Sequence, residues 1–433
     1  MKRDFARTLE AWRNKPNRKP LIISGMRQTG KTWCVREFAA TFFGDHFLEV
    51  NFEFSQAWHP VFERDADPKR ICDELELMSG KRITGGDTFL FLDEIQLCPK
   101  ALSALRFFFE KMPELPVIAA GSLLDFALEK IQFPVGRVQF AELYPMSFAE
   151  YIEAKGNAPL ADVLRAKPQA LPQSVHETLL REVRAYSLTG GLPECVKTRV
   201  NGGSFMDVRA IQRDLITAFE QDFSKYPEQM DASILREIWR GANASVGRRI
   251  SYASLSRDHT GTTNKKALDL LSKARLMRLA RATSSARLPF NLDVTPKIKP
   301  FAGDIGLYQM MSGRPADEVL READLLNTYN GALAEQFVAQ ELAASLGMDE
   351  PHWWKRDAKN AQAEVDFMVA LNGYVQPIEV KSGAAGRLKS LHQLMKEVPS
   401  VMDPIVFSSA PYGEIRGQRL RFIPIYDAGA LLK

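Results

Sequence analysis

This 433-residue chain predicts an α/β protein: a mainly parallel N-terminal sheet with a helical lid, a winged helix and a C-terminal α/β domain. Three observations predict it. A strand-like run, a glycine-bracketed loop and a helical pattern follow one another over residues 20–40. Further strand-like runs alternate with helical patterns up to about residue 140, the signature of a parallel sheet covered on both faces. Near the C-terminus an Asn-Gly pair separates two more strand-like runs, the strongest short signal for a hairpin.

The first element is Pro20-Leu21-Ile22-Ile23-Ser24, a buried strand, and residues 33–40 form the helix after it. Between them stands Gly25-Met26-Arg27-Gln28-Thr29-Gly30-Lys31-Thr32: glycine, four residues, glycine, lysine, threonine. Gly25 and Gly30 free the backbone to wrap phosphates with consecutive amides. The helix adds its positive N-terminal end. Lys31 supplies a point charge for the β- and γ-phosphates of ATP, and Thr32 a hydroxyl for Mg²⁺. The strand–loop–helix context sets this pattern apart from a chance glycine turn.

Residues 47–52, 88–92, 116–120 and 138–140 continue the sheet. The third run ends in Asp93-Glu94, where the first acid orders the Mg²⁺ and the second polarises an attacking water. Two acids ending a buried strand are costly to desolvate without a cation. The next run ends in Gly121-Ser122. Ser122 either senses the γ-phosphate or caps a helix over 123–130, and one hydroxyl can do both. Arg137 is either an arginine finger for ATP, on its own or a neighbour's nucleotide, or a solvated loop residue.

Gly25 to Thr32, Leu92-Asp93-Glu94-Ile95-Gln96, Ala120-Gly121-Ser122 and Gly136-Arg137 with Leu143-Tyr144-Pro145-Met146-Ser147-Phe148 resemble the prokaryotic AAA-type ATPases. These carry a C-terminal domain of poorly defined function. The resemblance runs on through Gly190-Gly191-Leu192-Pro193-Glu194 to Glu364-Val365-Asp366-Phe367 and so covers nearly the whole chain. It implies an ATP-hydrolysing core and says little about biological role.

Beyond that core, expected over residues 1–150, helical patterns over 151–230 read as a lid. Residues 231–312 read as a winged helix-turn-helix: helix 232–242, short segment 250–255, glycine turn, helix 263–273, strand 276–280 and wing 284–296. Residues 231–300 hold 14 Lys or Arg against 5 Asp or Glu, a local +9 in a chain of net +4, which suggests an anionic partner. Lys265, Lys266 and Lys273 on the second helix, with Arg278, Arg281 and Arg287 along the wing, suit phosphates of double-stranded DNA. Winged helices also serve as protein-contact modules.

Residues 313–433 form the last domain. Counting outward from Asn372-Gly373, Leu371 faces Tyr374, Phe367 faces Ile378, Asp366 faces Glu379 and Val365 faces Val380. Like charges opposite each other are unfavourable, and a divalent cation would compensate. Lys381, on the face of Glu379, could stabilise developing charge. Asp, then Glu-x-Lys on the adjacent strand, resembles the PD-(D/E)xK nuclease core, which would make Asp366, Glu379 and Lys381 catalytic. Glu335 would join Asp366 and Glu379 as a metal ligand from a helix over 331–344. The alternatives are a solvated Glu364–Lys381 pair and a bulge at Pro377 that shifts the register.

Composition, 45% hydrophobic and 25% charged, is that of a soluble globular protein. No apolar run approaches the ~20 residues that span a bilayer, so no membrane partner is expected. Cys34, Cys72, Cys98 and Cys195 form no CxxC pair, which fits a reducing cytoplasm. A homo-oligomer is left open by Arg137.

Overall fold

A computed structural model describes residues 1–129, 136–226, 230–291, 297–315, 331–347, 351–356, 363–381 and 388–431. The chain divides into two compact units, Met1–Tyr144 and Pro145–Lys433.

In the first unit β1 (Leu21–Ser24), β2 (Phe47–Asn51), β3 (Phe89–Asp93), β4 (Val117–Ala120) and β5 (Gln139–Glu142) form one sheet in the order β2-β3-β4-β1-β5. Every pairing in it is parallel. Parallel strands covered on both faces read as continuous apolar runs, and β3 and β4 are buried at every position. Alternate side chains serve opposite layers. Leu90, Leu92, Val117 and Ala119 join one cluster; Phe89, Phe91, Ile118 and Ala120 join the other. Burying each of Phe89 and Phe91 contributes about 1.5–3 kcal/mol. From β1 the chain crosses to the far edge and returns through β3 and β4, so the carboxyl ends of β1, β4 and β3 flank a crevice. Ligands bind at such a switch point.

In the second unit, helices Phe148–Ala154, Ala158–Arg165, Gln173–Thr189, Pro193–Val200 and Phe205–Asp222 come first. Helices Ala232–Ala244 and Gly261–Lys273 follow, then β6 (Met277–Thr283) and β7 (Ile298–Ala302), an antiparallel pair. The single bridge Ile250↔Ile298 adds the short segment expected before the second helix. The far end of the expected wing, 292–296, lies outside the described residues.

The pair β6–β7 is not a free wing. β6 also pairs in parallel with β8 (His352–Lys355), and the sheet continues through β9 (Glu364–Leu371), β10 (Tyr374–Val380), β11 (Ile405–Ser408), β13 (Leu420–Pro424) and β12 (Gly413–Ile415). One mixed eight-stranded sheet therefore crosses the boundary expected at 312/313. The helix Ala332–Leu346 is buried around most of its circumference. Its polar groups are matched to backbone: Gln336 with Ala302, Gln340 with Ile305, and Glu341 with Phe148. A buried polar side chain costs little only when so paired.

The hairpin β9–β10 keeps the predicted register from Leu371↔Tyr374 to Phe367↔Ile378, and Pro377 sits opposite Met368 without a shift. The irregularity lies on the other edge of β9. Met368 pairs with His352 but Val365 with Trp354, so β9 advances three residues while β8 advances two, a bulge. Val365 therefore joins Trp354, Met368 and Val406, while Phe367 and Val380 join the cluster of Phe301 and Phe337. The single apolar face expected for Val365, Phe367, Ile378 and Val380 is split by this bulge.

Candidate functional site

Gly25 follows β1 with φ +143°, and a Cβ there would meet the carbonyl oxygen of Leu143 at 2.3 Å, so only glycine fits. Gly30, at φ +88°, caps the helix Lys31–Phe42. The loop is fastened from behind: the Arg3 guanidinium donates to the carbonyls of Thr29 (2.7 Å) and Tyr144 (2.6 Å). The Thr29 hydroxyl donates to the Met26 carbonyl at 2.8 Å. Lys31 is 6% exposed and donates to the carbonyls of Gly25 (2.9 Å) and Met26 (3.0 Å). Burial lowers its pKa from 10.5 to about 8, against the pull of Glu94 and Asp93.

Asp93, 2% exposed, ends β3 opposite the loop. The Thr32 hydroxyl donates to its oxygens at 3.0 and 3.2 Å, and the Asn51 amide donates at 3.0 Å. Burial, then the neighbouring Glu94, raise its pKa to about 6. An ammonium and a carboxyl both pushed toward neutrality in one cleft mark a place prepared for other charges. Glu94 holds left-handed backbone, φ +50°, and its carboxylate accepts from the Gln96 amide at 2.5 Å. Gln96 fills the space a Cβ on Gly121 would take, and its amide oxygen is buried without a partner among the described residues.

Ser122 is buried just past β4. The short helix Leu124–Leu128 has Leu123 at its N-cap and no side-chain cap bond, so the hydroxyl of Ser122 does not cap it. Arg137 is not brought to the loop. Gln139 pairs with Leu21 and Glu142 with Ser24, so Arg137, two residues before β5, lies at the amino end of the strands, opposite the loop. It forms an ion pair with Glu110 at 2.9 Å. Asn51 and Gln96, which the sequence reading passed over, are recruited instead. The signal for Asn51 was available: it is the polar end of β2, in register with Asp93.

In the second unit Glu335, Glu364 and Asp366 converge on one cation, Lys299 of β7. Its Nζ lies 2.6 Å from Glu364 and 3.3 Å from both Glu335 and Asp366. Lys299 is 1% exposed, and its ammonium stands 5.6 Å from the centre of the Trp353 ring. Burial works against its charge but is outweighed by Glu335, Asp366 and Glu364, which hold its pKa far above the ordinary lysine value. Burial, then Asp366, raise Glu335 and Glu379 to about 8, with Lys299 opposing in the first and Lys381 in the second. Lys381 donates to Glu379 and Glu364 pairs with Lys299, so the alternative Glu364–Lys381 pair does not form. Asp366 also accepts from the Val380 amide at 2.9 Å. Lys299 thus brings a positive charge to acids for which the sequence suggests a divalent ion.

On the helix Gly261–Lys273, Lys265 and Lys266 are exposed, and Lys265 pairs with Asp269 at 2.6 Å. Arg281 and Arg287 are exposed as well. Arg278 is 8% exposed within β6, too buried for the expected phosphate contact. Among the described residues no helix is long and apolar enough to cross a membrane.

Residues 17–152 match a family described as AAA domain. Residues 180–318 and 330–408 match two families described as domains of unknown function, DUF8612 and DUF4143. A comparison with curated proteins found no match. Similar solved structures include the Walker-type ATPase PABY2304 of Pyrococcus abyssi, with 14% identity, 71% of this chain and 94% of that chain covered, and a TM-score of 0.44. The Orc1 protein of Aeropyrum pernix, solved with DNA, shares 13% identity over 73% of this chain and 92% of its own, with a TM-score of 0.31. AMPPCP-bound DnaA from Aquifex aeolicus shares 16% identity over 62% and 87%, with a TM-score of 0.29. These likenesses are distant.

Proposed function

We propose, from the AAA-type domain at residues 17–152, that the first unit binds ATP with Mg²⁺ and hydrolyses it. The observation that carries this reading is the bond from the Thr32 hydroxyl to the Asp93 carboxylate at the mouth of the loop that holds Lys31. A hydroxyl beside a buried carboxylate is a hard-oxygen donor set that fits Mg²⁺. When bound, the ion neutralises phosphate charge. Lys31 exchanges its two carbonyl partners for the β- and γ-phosphates. Asn51 keeps Asp93 oriented. Glu94, positioned by Gln96, accepts the proton of the attacking water. The water oxygen bonds to the γ-phosphorus while the bond from that phosphorus to the bridging oxygen breaks, and ADP leaves with the electron pair. Ser122 donates to the γ-phosphate. Arg137 serves a neighbouring copy or takes no part.

The second unit carries the consequence of this cycle to double-stranded DNA through Lys265, Lys266, Arg281 and Arg287, a reading supported by their exposure and by the local excess of positive charge. We read residues 313–433 as a nuclease-like, PD-(D/E)xK-type fold, on the support of the β9–β10 hairpin with Asp366, Glu379 and Lys381 beside Glu335. A nucleotide-controlled scaffold that binds protein is the second reading. The burial of Arg278 and the Lys265–Asp269 pair favour it, since both withdraw cations from a DNA face.

The test of the first reading is ATP turnover. Lys31→Ala abolishes it, and Glu94→Gln binds ATP without turnover. Unchanged turnover in Lys31→Ala would refute the reading. Salt-sensitive DNA binding weakened by neutralising Lys265 and Lys266 distinguishes DNA from a protein target.

A further inference from the structure

A divalent cation between carboxylates needs oxygens about 2.0–2.6 Å from one common point. In the second unit that point is taken. Lys299 extends its ammonium into the middle of Glu335, Glu364 and Asp366, with the Trp353 ring beside it. It can reach them because the sheet curls. Phe301 on β7 and Phe367 on β9 have ring centres 5.5 Å apart although β6 and β8 lie between those strands in the sheet. Both oxygens of Asp366 are engaged, one facing Lys299 and the other accepting from Val380. Lys381 binds Oε1 of Glu379, which leaves only Oε2 of Glu379 buried without a partner among the described residues, one oxygen where an ion needs several. Among the described residues, no group of three or more acidic, His or Cys side chains is arranged to hold a metal ion. A metal could enter only by driving a buried ammonium out of three ion pairs. Breaking a buried pair by removing one partner is strongly destabilising, because it leaves an uncompensated buried charge.

We propose that Lys299 is the permanent cation of this cluster. It takes the place of a divalent metal and fastens β7 to the hairpin β9–β10 and to the helix Ala332–Leu346. The site therefore binds no metal and cleaves no phosphodiester through a metal-activated water.

Binding of Mn²⁺ to the nucleotide-free full chain, followed by electron paramagnetic resonance, tests this in the wild type and in Asp366→Ala. Thr32 and Asp93 are intact in both, so any ion at the phosphate loop cancels. The expected result is equal Mn²⁺ stoichiometry and affinity. One additional Mn²⁺ in the wild type overturns the proposal, as does metal-dependent DNA cleavage that Asp366→Ala removes. If Asp366→Ala fails to fold, Asp366→Asn replaces it in the same comparison. Amine acetylation read by mass spectrometry is expected at least about tenfold slower at Lys299 than at exposed Lys266, with or without Mn²⁺. Acetylation of Lys299 that rises when Mn²⁺ is added overturns the proposal.

Discussion

The two units each bury a lysine among acids, and the two lysines behave in opposite ways. Lys31 has Asp93 and Glu94 nearby, yet among the described residues it donates to the backbone carbonyls of Gly25 and Met26 and to no carboxylate, and burial brings its pKa down to about 8. Lys299 lies within 3.3 Å of three carboxylates, which together outweigh burial and hold its proton firmly. The difference is whether the counter-charge is already in the protein. At Lys299 the cluster is complete, and its charges serve the fold. At Lys31 the ammonium is desolvated without direct carboxylate contact among the described residues, so a polyanion that enters the loop gains what the fold has left unsatisfied.

The largest effect should come from the incomplete site. Lys31→Ala is expected to lower ATP turnover by about 100-fold or more, the scale of losing a principal electrostatic contact. Steady-state phosphate release measures it, while an unchanged circular dichroism spectrum shows that the sheet is intact.

Next in size is the complete site. Lys299→Met leaves Glu335, Glu364 and Asp366 without their cation and should cost about 3–5 kcal/mol in urea unfolding of the second unit. Lys31→Met makes the sharpest contrast, because it removes a strained charge. Nucleotide-free stability should stay level or rise by about 1 kcal/mol. Equal destabilisation by the two substitutions would remove the distinction between the sites.

The pH dependence separates them further. The folded pKa of Lys31, about 8, lies below its ordinary 10.5. Between those values the unfolded chain binds more protons, so nucleotide-free stability should rise with pH across that window, relative to Lys31→Met. Asp93 works in the reverse sense. Its folded pKa, about 6, lies above its ordinary 3.8. The folded state then binds more protons between them, and stability should fall as pH rises from about 4 to 6. Asp93→Asn should therefore stabilise the nucleotide-free chain by about 1–3 kcal/mol at pH 7 and by little at pH 4. Differential scanning fluorimetry across pH reads both trends.

The smallest effect belongs to Arg137→Ala. Its ion pair with Glu110 is solvent-exposed, so its loss should change stability little, and turnover in dilute monomeric protein should be unchanged. A drop that appears only as protein concentration rises would assign Arg137 to a neighbouring copy.

The same contrast explains what the sequence made legible. The loop and Asp93-Glu94 could be read because their function is written locally: a spacing of eight residues, and a buried strand that ends in acids. The hairpin register was legible because Asn-Gly dictates it. Which of the readings of Arg137 holds was not legible; parallel topology sets a residue that precedes β5 at the edge away from its own loop, which leaves a neighbour's nucleotide or a solvated role. Lys299 was not legible. It is separated by 36 residues from Glu335 and by 67 from Asp366, and only a curled sheet with a bulge in β9 brings them together. Arg278 looked like a wing cation because the sequence does not reveal that β6 buries it where it pairs with Phe301 of β7.

The most direct measurement is amine acetylation of Lys31 and Lys299 in one sample of the full chain, with and without ATP and Mg²⁺. The account predicts that Lys31 is acetylated in the free protein and protected on addition of ATP and Mg²⁺, whereas Lys299 stays unlabelled in both. Equal labelling of Lys31 in the two conditions would contradict it.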